Sequence, residues 1–211
     1  MTVFLRHLRR VALGLALLLT PAPLLAAVID TGAQIGTFTG LTRGFSFTAP
    51  TDFVIVGLHL QTNASTANFD VTVFRFSTLN AYDGAASVYD VLFDARDQSA
   101  ALTGLSIAVS AGDVIGILGS RDATAINSYG GKDYASSILG NAVTLRRLVL
   151  QDTLRSATFP TGAEFGTEAF GRIGRVLVDV QAASISDVPL PGALPLMALG
   201  LGALALVRRR G

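Results

Sequence analysis

Between residues 28 and 181 no stretch keeps its apolar residues at the three-to-four spacing of a helix; short apolar runs are cut instead by Gly, Asp, Asn and Ser. TRGFSFTAP alternates Phe45 and Phe47 with Ser46 and Thr48 before Pro50 ends the run. DFVIVGLHLQT sets Phe53 and Ile55 on one face and Val54, Val56, Leu58 and Leu60 on the other, which predicts a central strand covered on both sides. In NFDVTVFRF the apolar phase moves from Phe69, Val71 and Val73 to Phe74 and Phe76, the mark of a bulge. VYDVLFDA follows as a strand, and LTGLSIAV and VIGILGS, joined by SAGD, predict a hairpin with Gly112 as its permissive turn residue. NAVTLRRLVLQ and GRIGRVLVDVQ, the latter with Val176, Val178 and Val180 on one face, complete the series. About eight to ten short strands at such spacing predict an all-β fold, a two-sheet antiparallel β-sandwich of jelly-roll-like topology over residues 28–181. A polar linker over 182–187 follows it.

The two ends of the chain read differently from the body. MTVFLRHLRR places Arg6, His7, Arg9 and Arg10 ahead of an apolar stretch that meets Thr20-Pro21 after nine residues and leaves through small residues to Ala26 and Ala27. A charged start, a short apolar run and a small-residue exit predict a secretory signal peptide over residues 1–27, cut after Ala26 or Ala27, because nine residues fall far short of the ~20 that span a bilayer. At the other end, residues 193–207 are fifteen without a charge, about 22 Å as a helix. That is short for a hydrocarbon core of about 30 Å, and Pro189, Pro191 and Pro195 resist helix at its start. Arg208, Arg209 and Arg210 would stay on the cytoplasmic side, as would the arginines of the signal peptide, so both ends predict a body on the far side of the membrane. Gly200, Gly202 and Ala205 match a dinucleotide-binding spacing, but they follow no strand and sit in this apolar run.

Polar linker, Val188-Pro189-Leu190-Pro191-Gly192, apolar run and closing arginine cluster, in that order at the terminus, resemble the PEP-CTERM sorting signal in its VPLPA-type variant. Leu190 stands where the commoner motif has glutamate, and Gly192 where the variant often has alanine. The resemblance covers residues 188–210. It implies recognition by an exosortase after passage through the Sec translocon, in a Gram-negative bacterium that makes exopolysaccharide, with the tail as a membrane segment until it is processed. TRGFSFTAPTDFVIVGL and VSAGDVIGILG are also similar to stretches of exported β-sandwich proteins that carry such tails.

Charge and composition narrow the function further. The formal charge of +1 conceals a body in which ten Lys and Arg face fifteen Asp and Glu, a net of −5. Arg146 and Arg147 are its one adjacent basic pair, too few for the clustered cations that nucleic acid requires. With no cysteine in 211 residues, thiol catalysis, Cys-type zinc sites and disulfides are all excluded. His59 is the body's one histidine; mid-strand between Leu58 and Leu60, it reads as a packed residue rather than a catalyst, and no G-x-S-x-G elbow occurs. Asp94 and Asp97 form a carboxylate pair of the kind glycosidases use, although their spacing in a loop favours a solvated turn. Asp122, Asn127 and Asp133 offer loop oxygens to calcium without the full calcium-loop pattern, and Asn63-Ala64-Ser65 is a formal glycosylation sequon that reads as a turn.

The remaining candidate is INSYGGKDY, where Asn127, Tyr129, Lys132, Asp133 and Tyr134 surround Gly130-Gly131 and supply the stacking faces and hydrogen-bonding groups of a glycan-contact loop. A structural loop whose tyrosines cover a sheet edge is the competing reading. Taken together, the sequence predicts an exported surface or matrix protein associated with exopolysaccharide, non-enzymatic, with no catalytic residue, metal or cofactor. The alternatives are a carbohydrate-binding module and a secreted hydrolase.

Overall fold

The computed structural model of the chain describes residues 26–61, 65–122, 127–159, 165–169 and 171–183, with the side chains of residues 127–129 outside that description. The expected sorting tail at 188–211 and nearly all of the expected signal peptide lie outside the described residues. The described chain is all-β and holds no helix. Its strands are β1 (Ala27–Val28), β2 (Gly36–Phe38), β3 (Thr42–Thr48), β4 (Phe53–His59), β5 (Phe69–Thr78), β6 (Val88–Gln98), β7 (Leu102–Val109), β8 (Val114–Arg121), β9 (Asn127–Tyr129), β10 (Tyr134–Ile138), β11 (Asn141–Leu150), β12 (Phe165–Thr167) and β13 (Leu177–Ala182). The last strand reaches Ala182, the first residue of the expected linker.

Two antiparallel sheets stack as a sandwich. The smaller runs β1-β13-β4-β7; the larger runs β10-β11-β3-β8-β5-β6, with β12 added on β11, while β2 and β9 pair apart from both. Four antiparallel pairs nest inside one another along the chain: β5 with β6, β4 with β7, β3 with β8 and β2 with β9.

That nesting corrects the expected hairpin, because β7 and β8 lie in different sheets. Ser110–Asp113 carries the chain across the sandwich, and Pro50–Asp52 does the same between β3 and β4. The two crossovers bind each other. Ala49 N–H donates to the Asp113 carbonyl (2.8 Å), Gly112 N–H to the Ala49 carbonyl (2.9 Å) and Ala111 N–H to the Asp52 carboxylate (2.7 Å). Gly112 takes φ +90°, so the turn chemistry read from SAGD is present. What differs is the partner of each flanking strand.

The core between the sheets holds Phe45, Phe47, Phe53, Ile55, Val71 and Ile117 among others. Strand β4 is central to its sheet but is not covered on both sides as expected. Its pairing with β13 skips Val56, and this bulge turns Leu58 and Leu60 to the same side as Phe53 and Ile55, leaving Val54 and Val56 half-exposed on the other.

In β5 the opposite correction applies. Its register with β8 is unbroken from Phe69 to Phe76, so the expected bulge is absent there, and the neighbouring β6 absorbs the irregularity instead. Phe69, Val71 and Val73 face the inter-sheet core, while Phe74 and Phe76 face outward by plain alternation.

A second core therefore lies on the outer face of the large sheet. Phe74, Phe76, Leu118, Leu148 and Leu150 are covered there by Leu154, Phe159 and Phe165, from the segment between β11 and β12 and from β12 itself. The Phe74 ring sits 4.8 Å from that of Phe165 and 4.9 Å, edge-on, from that of Phe159. Phe74→Ala is expected to cost about 3–5 kcal/mol in chemical unfolding, as much as Phe45→Ala between the sheets. A loss below about 1 kcal/mol would show that the outer cluster is not a core.

Candidate functional site

The loop that the sequence singled out is built into the scaffold. Asn127 and Tyr129 belong to β9, which pairs with β2 through Asn127 opposite Phe38 and Tyr129 opposite Gly36. Tyr134 opens β10; its hydroxyl donates to the Asp30 carboxylate (2.9 Å), an interaction that pushes its pKa up, and its ring lies against Gly32, where a Cβ would come within 2.6 Å. The Ser136 hydroxyl donates to the Asp30 carbonyl (2.7 Å) and Gly32 N–H to the Asp30 carboxylate (2.8 Å). Tyr134 thus fastens the N-terminal segment to β10. Lys132 and Asp133 are exposed, Asp133 with φ +39°.

The carboxylate pair lies within strand β6 rather than in the expected loop, and each member is held by a different arginine. Asp94 accepts from Arg96 Nε (2.9 and 3.1 Å to its two oxygens) and from the Thr72 hydroxyl. Asp97 accepts from Arg155 Nη1 (2.8 Å) and from the Asn68 amide (3.1 Å). Beneath them lies a residue the sequence did not single out. The Asp70 side chain is fully buried and takes both oxygens to Arg155 Nε (2.8 and 2.9 Å), while the Asp97 N–H donates to one of them (2.7 Å). Those bonds, Asp70 first, push the Arg155 pKa up. Alternation puts Asp70 and Thr72 on the same outward face of β5 as Phe74 and Phe76. The covering segment is therefore held by an ion pair beside its aromatic contacts.

His59 packs edge-on against Phe69, with ring centroids 6.1 Å apart, and its Nδ1 is buried without a hydrogen-bond partner. Burial, and then Arg121, lower its pKa, with Asp179 opposing them. Arg121 itself is buried and donates to the carbonyls of Gln61 (2.9 Å), Ala67 and Leu60. Asp122, the residue after β8, takes φ +65°, and its N–H donates to the Asn68 carbonyl (2.8 Å). Among the described residues no three His, Asp or Glu side chains gather as metal ligands would.

An open groove of about 340 Å³ lies elsewhere, on the outer face of the large sheet, lined by Ser46, Thr48, Val114, Ala142, Thr144 and Arg146. Register builds it: Ser46 stands opposite Arg146 across β3 and β11, and Thr48 opposite Val114 across β3 and β8. Leu148, two positions beyond Arg146, belongs to the outer core, so the same sheet face is apolar and covered at one end, polar and open at the other. Strand alternation in NAVTLRRLVLQ already sets Ala142, Thr144 and Arg146 on one side. Their meeting with Ser46 and Thr48 depends on pairing between strands about a hundred residues apart.

Comparison with family models, curated proteins and solved structures yields no match.

Two substitutions test the polar framework. Arg155→Ala leaves a fully buried carboxylate uncompensated and is expected to cost about 3 kcal/mol in urea unfolding. Arg75→Ala, which breaks an exposed pair with Asp90, should cost little. Because the folded value of His59 lies below 6.5, the unfolded chain binds the proton first as pH falls. The stability that His59 contributes is complete above 6.5 and is lost as pH drops below it, so the melting temperature should fall more steeply on acidification in the wild type than in His59→Gln. Equal slopes would overturn that account.

Proposed function

We propose that the chain is an exported surface or extracellular-matrix protein, passed through the Sec translocon, sorted by an exosortase and associated with exopolysaccharide, with no catalysis of its own. The observation that carries this reading is the order of features beyond β13: the Val188-Pro189-Leu190-Pro191-Gly192 motif, an apolar run over 193–207 and Arg208, Arg209 and Arg210. In the sequence they come after the last described strand of the body, β13, which ends at Ala182. The body is held at the outer side of the inner membrane by a transmembrane helix over 193–207 until the tail is processed, and is then released to the cell surface or beyond. Pairing of Ala27 with Val180 supports signal-peptide cleavage after Ala26, which keeps Ala27 in β1. The four nested strand pairs support a jelly-roll-like assignment for the sandwich.

A second reading, a carbohydrate-binding module at the cell surface, is favoured by the hydroxyl-lined groove on the large sheet rather than by the loop around Tyr134. The hydrolase reading draws less support, since Asp94 and Asp97 are each held by an arginine.

Mass spectrometry of the C-terminus tests the sorting reading. Chains from cells with a working exosortase are expected to end near residues 188–192, and chains from cells without it to retain Arg210-Gly211. An intact terminus in the presence of the working enzyme would overturn exosortase sorting and leave a plain membrane anchor.

A further inference from the structure

We propose that the groove on the outer face of the large sheet binds a glycan that carries carboxylates, a uronic-acid saccharide, with Arg146 as the residue that takes the acid group. The inference rests on the reading of the chain as a polysaccharide-associated protein and names the chemistry of its ligand.

The argument begins with how the arginines are used. Arg75 holds Asp90, Arg96 holds Asp94, Arg147 holds Glu168 and Arg155 holds Asp70 and Asp97. Arg43, Arg121 and Arg172 donate to backbone carbonyls, and Arg175 to the Gln61 amide oxygen. Among the described residues Arg146 is the arginine with no such bond, and it stands exposed in the groove. In a body where carboxylates outnumber cations fifteen to ten, one guanidinium is left facing solvent with its fork of donors unused.

The groups around it define the rest of the ligand. Thr48 and Thr144 present exposed hydroxyls, each a donor and an acceptor, which suit the hydroxyls of a sugar ring, while Ser46 is buried at the groove's lining; Val114 and Ala142 offer small apolar contacts for its C–H face. A guanidinium pairs with a carboxylate through two parallel N–H···O bonds, a geometry that a neutral sugar leaves unused. The groove is open rather than enclosed, as an extended chain requires, and its 340 Å³ lies at the lower end of the ~300–1,000 Å³ of small-ligand sites. A nucleic acid or another dense polyanion is disfavoured by the one free guanidinium among the described residues and by the body's net charge of −5. The fit is to sparse carboxylates set among hydroxyls.

Titration of the full-length chain in mild detergent tests the proposal, using galacturonate, glucuronate and mannuronate oligosaccharides and the same oligosaccharides with their carboxyls reduced to alcohols. The acidic forms are expected to bind at least about tenfold more tightly than the reduced ones, and Arg146→Gln to lose about tenfold or more toward the acidic forms alone, with Arg146→Lys in between. Because Arg146 is exposed and unbonded, the melting temperature of Arg146→Gln should match that of the wild type. Equal affinity for acidic and reduced forms, equal affinity of wild type and Arg146→Gln, or no binding by the wild type to any acidic oligosaccharide would each overturn it. Failure here leaves C-terminal processing unchanged, and failure of processing leaves the affinities unchanged, so the two readings fall separately.

Discussion

Strand β5 is apolar on both faces over its middle, and a strand of that kind has to be covered twice. Val71 and Val73 meet the smaller sheet, while Phe74 and Phe76 project the other way, where a two-layer sandwich would leave them in water. Burying an aromatic side chain of this size is worth about 1.5–3 kcal/mol, so two of them together with Leu118 and Leu148 justify ordering a further segment of chain above the sheet. Residues 151–159 and β12 supply that cover. The large sheet is thereby dry at one end of its outer face, and the groove lies where the cover stops.

The polar contacts follow the same division. At the far end of β5, Asp70 faces outward under the cover, and a buried carboxylate there is tolerated because Arg155 descends from the covering segment to meet it, with the Asp97 N–H completing its shell. Arg155 also reaches Asp97, and Arg96 lies over the Phe159 ring while it holds Asp94. Aromatic burial and charge pairing thus act on one segment. The carboxylates that look catalytic in the sequence serve as its anchorage, and the tyrosine that looks like a sugar platform fastens the N-terminal segment through Asp30.

With those groups committed to the framework, the surface chemistry that remains among the described residues is modest: a hydroxyl-lined groove with one unpaired guanidinium, on a body otherwise acidic. The sorting tail and the groove describe the same proposal from two ends, one giving the route out of the cell and the other the material met there.

The sequence by itself determined the all-β class of the fold, the turn at SAGD and the alternation in β3 and β13, because those depend on neighbours one to four residues away. SAGD is a turn with Gly112 at positive φ, Phe45 and Phe47 face the core, and Val176, Val178 and Val180 are all buried, as their spacing requires. The processing signals proposed for the two ends are likewise read as linear strings, from the order of residues alone. Only the tertiary structure decided which strands pair, since a local turn signal is the same whether the chain folds back within a sheet or crosses to the other one. That decision separated β7 from β8, placed the bulge at Val56 rather than within β5, and turned a change of hydrophobic phase into a second core. It also set Ser46 opposite Arg146, and with that pairing the groove; hydrogen bonds between strands a hundred residues apart leave no trace in the spacing of either one.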